Sequence, residues 1–280
     1  MDPSLRSNGS NTRPALPTRP PAGVRSRVAG RIDRVLNTAL AGEKAAVLNV
    51  TAPELLADSE AVARTISGVL DRPGSGVMAH WMVHELLRRS ALYDVLLDSL
   101  ASPDPKKRAA AARICGAARV TDATLWIADL VHDRELQVRE AAVSSLAMLG
   151  GRRAVEELMA QADTIPLHRL AIALSWAASD LDIEALMRQP ASEKAAIATV
   201  LACGLRHDVL RIPPLLGIAH DPRWPKPVRL AACKALAIIG DRSAADGLHR
   251  LSEKESDVEV KKAADRAHKR VLRRAVGRSR

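Results

Sequence analysis

The sequence predicts an all-α protein, a right-handed α-solenoid of stacked antiparallel helix pairs, and three observations point there. An apolar stripe at helical spacing recurs at a near-constant interval. Glycine and aromatic residues are scarce, with no Phe and one Tyr. The apolar content is instead carried by Ala, Leu, Val and Ile, which suits close helix packing better than strands.

The clearest copy of the unit is residues 133–151, DRELQVREAAVSSLAMLGG. Leu136, Val138, Ala141, Ala142, Leu146 and Leu149 share one face, and Arg134, Glu135, Arg139 and Glu140 take the other. Asp133 is expected to open the helix by offering its carboxylate to free amides of the first turn, and Gly150–Gly151 to close it. Ala154, Val155, Leu158 and Met159 begin a second helix, so one unit is a helix pair.

A basic residue two or three positions before a small-residue pair serves as the anchor of the repeat. Anchors fall at Arg108, Arg139, Arg169, Lys194, Arg229 and Lys261, with intervals of 31, 30, 25, 35 and 32 and a mean near 31. Met78 lies 30 residues before Arg108 and extends the series toward the N-terminus. Self-similarity at this period marks units that bury their apolar faces only by stacking on neighbours.

The pattern resembles the HEAT repeat family, specifically the short bacterial units known as phycobilisome-lyase HEAT-like repeats. The residues that carry it are Asp133, Val138, Arg139, Ala141, Ala142, Leu146, Leu149 and Gly150, and again Val228, Arg229, Ala231, Ala232, Leu236, Ile239, Gly240 and Asp241. Coverage runs from about residue 75 to 272, and the units at Arg169 and Lys194 lack the leading Asp and terminal Leu-Gly. The resemblance implies that Asp104, Arg108, Asp133, Arg139, Asp221 and Arg229 cap helices and pair with adjacent units. It implies an architecture and leaves function open, because a solenoid is a surface on which many activities can sit.

In chain order, residues 1–28 are rich in Pro, Ser, Asn and Arg and form an expected disordered basic tail. Residues 29–74 form N-terminal capping helices. Of these, 31–49 is one helix, and Thr51 with Pro53 and Glu54 starts the next. The break DRPGSG at 71–76 leads into the repeats of 75–272, and 273–280 is a basic C-terminal tail. In the last helix Val258, Val260, Ala264, Ala267, Val271 and Leu272 are expected to close the stack.

The net charge of +10 sits at the ends. Residues 1–34 hold seven Arg against two Asp, residues 261–280 hold nine Lys or Arg against one Asp, and residues 35–260 hold 26 basic against 29 acidic residues. A near-neutral body argues against a phosphate-tracking channel, which an enzyme similar to the HEAT-like alkylpurine DNA glycosylases requires. The tails allow weak, salt-sensitive contact with nucleic acid or another acidic partner. With neither a secretory core nor about 18 uninterrupted apolar residues, the expected setting is cytoplasmic and the expected partners exclude membranes. The Ser-, Pro- and Arg-rich leader is also similar to those of bacterial type III secreted effectors, which keeps that alternative open.

No GxSxG, Walker loop or GxGxxG is present. Cys115, Cys203 and Cys233 are isolated and read as buried structural thiols. His80 and His84 lie on one helix face, a spacing that suits metal ligation. HEAT-like deoxyhypusine hydroxylases, however, spread four His-Glu pairs over their repeats, and only His84-Glu85 matches here. No catalytic residue, metal ligand or cofactor is therefore assigned.

Trp224, in the Pro-rich loop HDPRWPKPVR, with Arg223 and Lys226, is the leading candidate contact, followed by Trp126 and Trp176. The expected function is a non-enzymatic scaffold whose solenoid surface binds a protein partner. The alternative is a HEAT-like enzyme or enzyme subunit, such as a chromophore lyase.

Overall fold

The computed structural model describes residues 26–41, 47–72 and 76–277, and every regular element among them is a helix. The expected leader thus lies outside the described residues except for its last three positions, as do part of the 71–76 break and the last three residues of the chain. The chain divides into two compact units between Ser179 and Asp180. Expectation placed one continuous body over 75–272. The division falls between Arg169 and Lys194, the two anchors with the poorest repeat pattern.

In the first unit, Ser26 caps α1 (Arg27–Leu40) by accepting a bond from the Ala29 amide at 3.1 Å. The helix therefore starts earlier than the expected 31–49 and ends at Leu40, with Ile32, Leu36 and Ala39 buried. Thr51 and Glu54 form a reciprocal capping box at α2 (Ala52–Ala57), and α3 (Ser59–Leu70) follows. The bond from the Thr51 amide, reinforced by Arg31, brings the Glu54 carboxyl down to about 2. Then come α4 (Gly76–Arg89), α5 (Leu92–Leu100), α6 (Pro105–Ala117), α7 (Thr124–Asp129), α8 (Leu136–Leu149), α9 (Gly151–Ala160) and α10 (Leu167–Ala177).

One layer of this unit runs α1, α3, α6, α8, α10, each packed on the next, while α5, α7 and α9 back α6, α8 and α10. Small residues set the spacing. A Cβ on Gly116 of α6 would stand 2.6 Å from the Ser145 Cα of α8, so only glycine permits this approach. Ser145 uses its buried hydroxyl to donate to Ala112 O at 2.7 Å and also reaches Ala141 O at 2.6 Å. An apolar void of about 10 Å³ among Ile32, Leu48, Leu55, Val83 and Leu87 is too small for a ligand.

The second unit comprises α11 (Asp180–Arg188), α12 (Glu193–Leu205), α13 (Ile212–His220), α14 (Lys226–Ile239), α15 (Ala245–Lys254) and α16 (Val258–Gly277). Here α12, α14 and α16 form one layer, with α11, α13 and α15 packed behind them respectively. Gly204 meets Ala235 as Gly116 meets Ser145, with a Cβ position 2.9 Å from the Ala235 Cα.

Four expectations need correction. Helix α8 begins at Leu136, and Asp133 instead accepts the Glu135 amide at 2.9 Å, closing a turn in the loop. The same bond to the second amide onward recurs at Asp104, Asp221, Asp241 and Asp257. Leu136 and Val258, placed on core stripes, are 59% and 61% exposed, because each opens its helix at the loop edge ahead of the packed turns. Leu272 is likewise exposed beside buried Val271. Finally, α16 continues through Gly277 past the expected boundary at 272, and Arg274 Nη1 donates to Ile238 O at 2.6 Å in that last stretch.

Candidate interaction surface

Helices α12 and α14 bury almost their whole circumference and leave one row of side chains in contact with solvent, whereas α16, at the edge of the layer, is exposed more widely. On α12 the row is Ile197, Leu201 and Leu205, and on α14 it is Leu230, Lys234 and Ile238. Both have spacing i, i+4, i+8, so each row runs along one helix face. Buried positions superpose at an offset of 33, matching Ala195 to Val228, Ala198 to Ala231, Ala202 to Ala235 and Cys203 to Leu236. From α14 to α16 the offset is 32, matching Val228 to Val260, Ala232 to Ala264, Ala235 to Ala267 and Ile239 to Val271. Lys262, Arg266 and Arg270 therefore continue the row on α16, and all three are exposed.

The first unit repeats the arrangement at offsets of 31 from α6 to α8 and 28 from α8 to α10. Its rows hold Arg113 on α6, Glu140, Ser144 and Met148 on α8, and His168, Ile172 and Trp176 on α10. Trp176 is thus half-buried like Ile172 in a row that also holds exposed His168, on the helix packed beside that of Met148.

These offsets also correct the repeat register. The equivalents of Arg139 and Arg229 are Leu167 and Ala196, so Arg169 and Lys194 are each displaced by two positions, in opposite directions. The 25-residue interval becomes 29. At Arg108 and Arg139 the basic anchor ties down the preceding loop, and at Arg229 it reaches Ala219 O in the last turn of the preceding helix. Arg108 Nη1 donates to Ser102 O at 2.8 Å and Pro103 O at 3.1 Å, and Arg139 Nη1 donates to Asp133 O at 2.8 Å and Arg134 O at 2.9 Å. Where the anchor is not basic, Pro166 and Ser192 take the N-cap positions, and Ser192 accepts the Ala195 amide at 3.1 Å. The basic anchors therefore satisfy loop and helix-end carbonyls that have no helical partner.

The other expected contacts fall elsewhere. Trp126 is 50% exposed on α7, beside exposed Leu125, in the layer behind the row. Trp224 is half-buried in the loop entering α14, where its amide donates to Asp221 O at 3.2 Å. Arg223 folds back onto Asp221, with Nη2 donating at 2.8 Å, and this fork holds the Asp221 carboxyl below its ordinary range. Lys226 reaches Glu259 at 3.1 Å and Asp257 at 3.4 Å, so Glu259 first, with Asp257, pushes its ammonium pKa up. Trp224, Arg223 and Lys226 share one loop-to-helix junction, whereas Trp126 and Trp176 lie in the other unit on different layers.

Sequence reasoning missed the row itself, whose signal was a large residue at every fourth position, with Ala after the first two on α12 and on α14. It also missed the exposed end of α4, where Val77 is 85% and Trp81 58% exposed beside Met78. In the same helix, Arg119 Nη1 donates to His80 Nε2 at 2.5 Å, leaving His80 Nδ1 to donate to Gly76 O at 2.9 Å. His84 Nε2 lies 2.9 Å from Ala118 O. The pair is thus engaged with the protein, and no group of three or more His, Cys, Asp or Glu among the described residues could hold a metal.

A layered array of helix pairs with a repeated exposed row defines an α-helical repeat protein. Residues 93–177 match the family model for HEAT repeats, and this segment belongs to the HEAT repeat family. No curated protein matches the chain. Among solved structures, human deoxyhypusine hydroxylase in complex with glycerol is similar at 15% identity over 88% of this chain and 97% of that one, with a TM-score of 0.35. Two engineered proteins are similar at 16% identity. One covers 86% of this chain and 96% of its own with a TM-score of 0.30, and the other 87% and 79% with a TM-score of 0.37.

Proposed function

We propose that the protein is a non-enzymatic scaffold that binds a protein partner through the exposed rows of its helix layers. The observation that supports this reading is the half-exposed apolar set Ile197, Leu201, Leu205, Leu230 and Ile238 on two packed helices. Contiguous apolar side chains held at a surface by a rigid, close-packed layer are what a partner covers. The exposed aromatics Trp126 and Trp81, and the junction at Trp224, Arg223 and Lys226, supply further contacts of the type that dominates binding energy.

A cytoplasmic setting fits this reading. The three cysteines are free and buried, as in proteins of reducing compartments, and no helix among the described residues is long and apolar enough to cross a membrane.

The test is affinity purification from the native cell with the wild-type chain and with the Leu201→Asp/Ile238→Asp variant, each checked for helical content. The expected result is a defined set of co-purifying proteins lost from the variant. An unchanged set on a folded variant would place the binding function elsewhere on the molecule.

A further inference from the structure

We infer that the face formed by α12, α14 and α16 takes an acidic segment of a partner protein whose carboxylates flank an apolar stripe. This rests on the scaffold reading above and adds the chemistry of the partner.

Composition changes systematically across the three rows. The α12 row is Ile197, Leu201 and Leu205, wholly apolar. The α14 row is Leu230, Lys234 and Ile238, two apolar residues around one cation. The α16 row is Lys262, Arg266 and Arg270, wholly cationic. Each row spans about 12 Å along its helix, and packed helices lie about 8–10 Å apart. A single docked segment therefore covers the apolar side and the cationic side at once.

The cations are available. Among the described residues, Lys234, Lys262, Arg266, Arg270 and the adjacent Arg273 have no carboxylate partner, and the side-chain bond of Arg266 is to Lys262 O at 3.1 Å. Many arginines elsewhere do pair with acids, as at Arg31, Arg89, Arg108, Arg169 and Arg229, and others, such as Arg34, Arg64 and Arg139, reach backbone carbonyls instead. Two acids near the row are already engaged, Glu259 by Lys226 and Asp265 by Lys269. Unpaired guanidinium forks are suited to carboxylates, which they bind through two parallel bonds.

The apolar side selects a protein rather than a nucleic acid. A phosphate backbone gains nothing from Ile197, Leu201, Leu205, Leu230 or Ile238, and the rows carry no aromatic residue on which a base would stack. An acidic amphipathic segment satisfies both sides.

The test is selection of a phage-displayed library of random helical 16-residue peptides on the full chain, followed by affinity measurements on synthetic copies of the winners. Two variants accompany the wild type, Lys262→Glu/Arg266→Glu/Arg270→Glu and Leu201→Asp. All of these sites are solvent-accessible, and circular dichroism checks that each variant is folded. The expected winners carry excess Asp and Glu beside an apolar stripe, bind at least tenfold more weakly to both variants, and weaken as salt is raised. Winners that need Leu201 but show no acidic excess would overturn the assigned chemistry while leaving the scaffold reading intact. Winners indifferent to both variants, or none at all, would overturn both. A 20-base-pair DNA duplex that binds tighter than any winner and is lost on charge reversal would assign the face to nucleic acid.

Discussion

Arg108 and Asp133 face each other across two successive units as a two-bond fork, with Nε to Oδ2 at 2.7 Å and Nη2 to Oδ1 at 2.9 Å. Both side chains are largely shielded, and the same guanidinium holds two carbonyls of its own loop. The Arg108 guanidinium keeps the Asp133 carboxyl below its ordinary value of 3.8. The pair thus links a residue at the start of one layer helix to the loop that begins the next.

Breaking this fork should cost stability in a pH-dependent way. Asp133→Asn is expected to lose about 2 kcal/mol in urea denaturation at pH 7, since a shielded guanidinium is left without its counter-charge. A carboxyl with a depressed folded pKa contributes stability that is present above its unfolded value near 3.8 and disappears as the pH falls through the folded one. The gap between wild type and variant should therefore be constant from pH 7 to about 5 and close below pH 4. A gap that persisted at pH 2 would assign the loss to the Glu135 turn instead.

The equivalent pair in the second unit is Arg229 and Glu255, which are hydrogen-bonded, with the arginine buried more deeply than Arg108. Arg229 also donates from Nε to Ala219 O at 3.0 Å. Arg229→Ala should cost about 3–4 kcal/mol, more than Asp133→Asn, because it strands a shielded carboxylate and a carbonyl in the last turn of α13 together. Differential scanning calorimetry of the two variants ranks them directly, and the reverse order would contradict the burial argument.

Close helix approach at Gly116 makes a separate prediction. Gly116→Ala puts a methyl into the backbone of Ser145, where no side chain can rotate away, and should destabilise by about 2–3 kcal/mol. Gly204→Ala, with its contact at 2.9 Å, should cost less. Gly68→Ala faces open space inside α3 and should stabilise by about 0.5–1 kcal/mol through helix propensity. Chemical denaturation of the three variants should give two signs, and a stabilising Gly116→Ala would show that α6 and α8 separate freely.

The thiols should be silent in the native protein. Burial pushes Cys115 and Cys203 up to about 12 and Cys233 to about 11. An aromatic disulfide reagent at pH 8 should titrate essentially no thiol until denaturant is added, and then three. Rapid reaction of one thiol under native conditions would reveal a helix that opens locally.

Residue chemistry and spacing in one dimension were enough to determine the all-helical class, the helix-pair unit, the buried thiols and the helix start at Thr51, because each depends on neighbours within a few turns. The basic anchors were visible too, although at Arg169 and Lys194 residue type and register disagreed, and packing decided the register. Only the tertiary structure could show that Leu136 and Val258 face water, that Asp133 serves a loop and a distant arginine, and that the chain divides into two compact units after Ser179. The composition of the rows follows the same rule. Ile197, Lys234 and Arg270 are ordinary helix residues until packing buries every other side of α12 and α14 and leaves these positions at the surface together. Local interactions select a helix wherever it can form, whereas the face left open to solvent depends on which other helices arrive beside it.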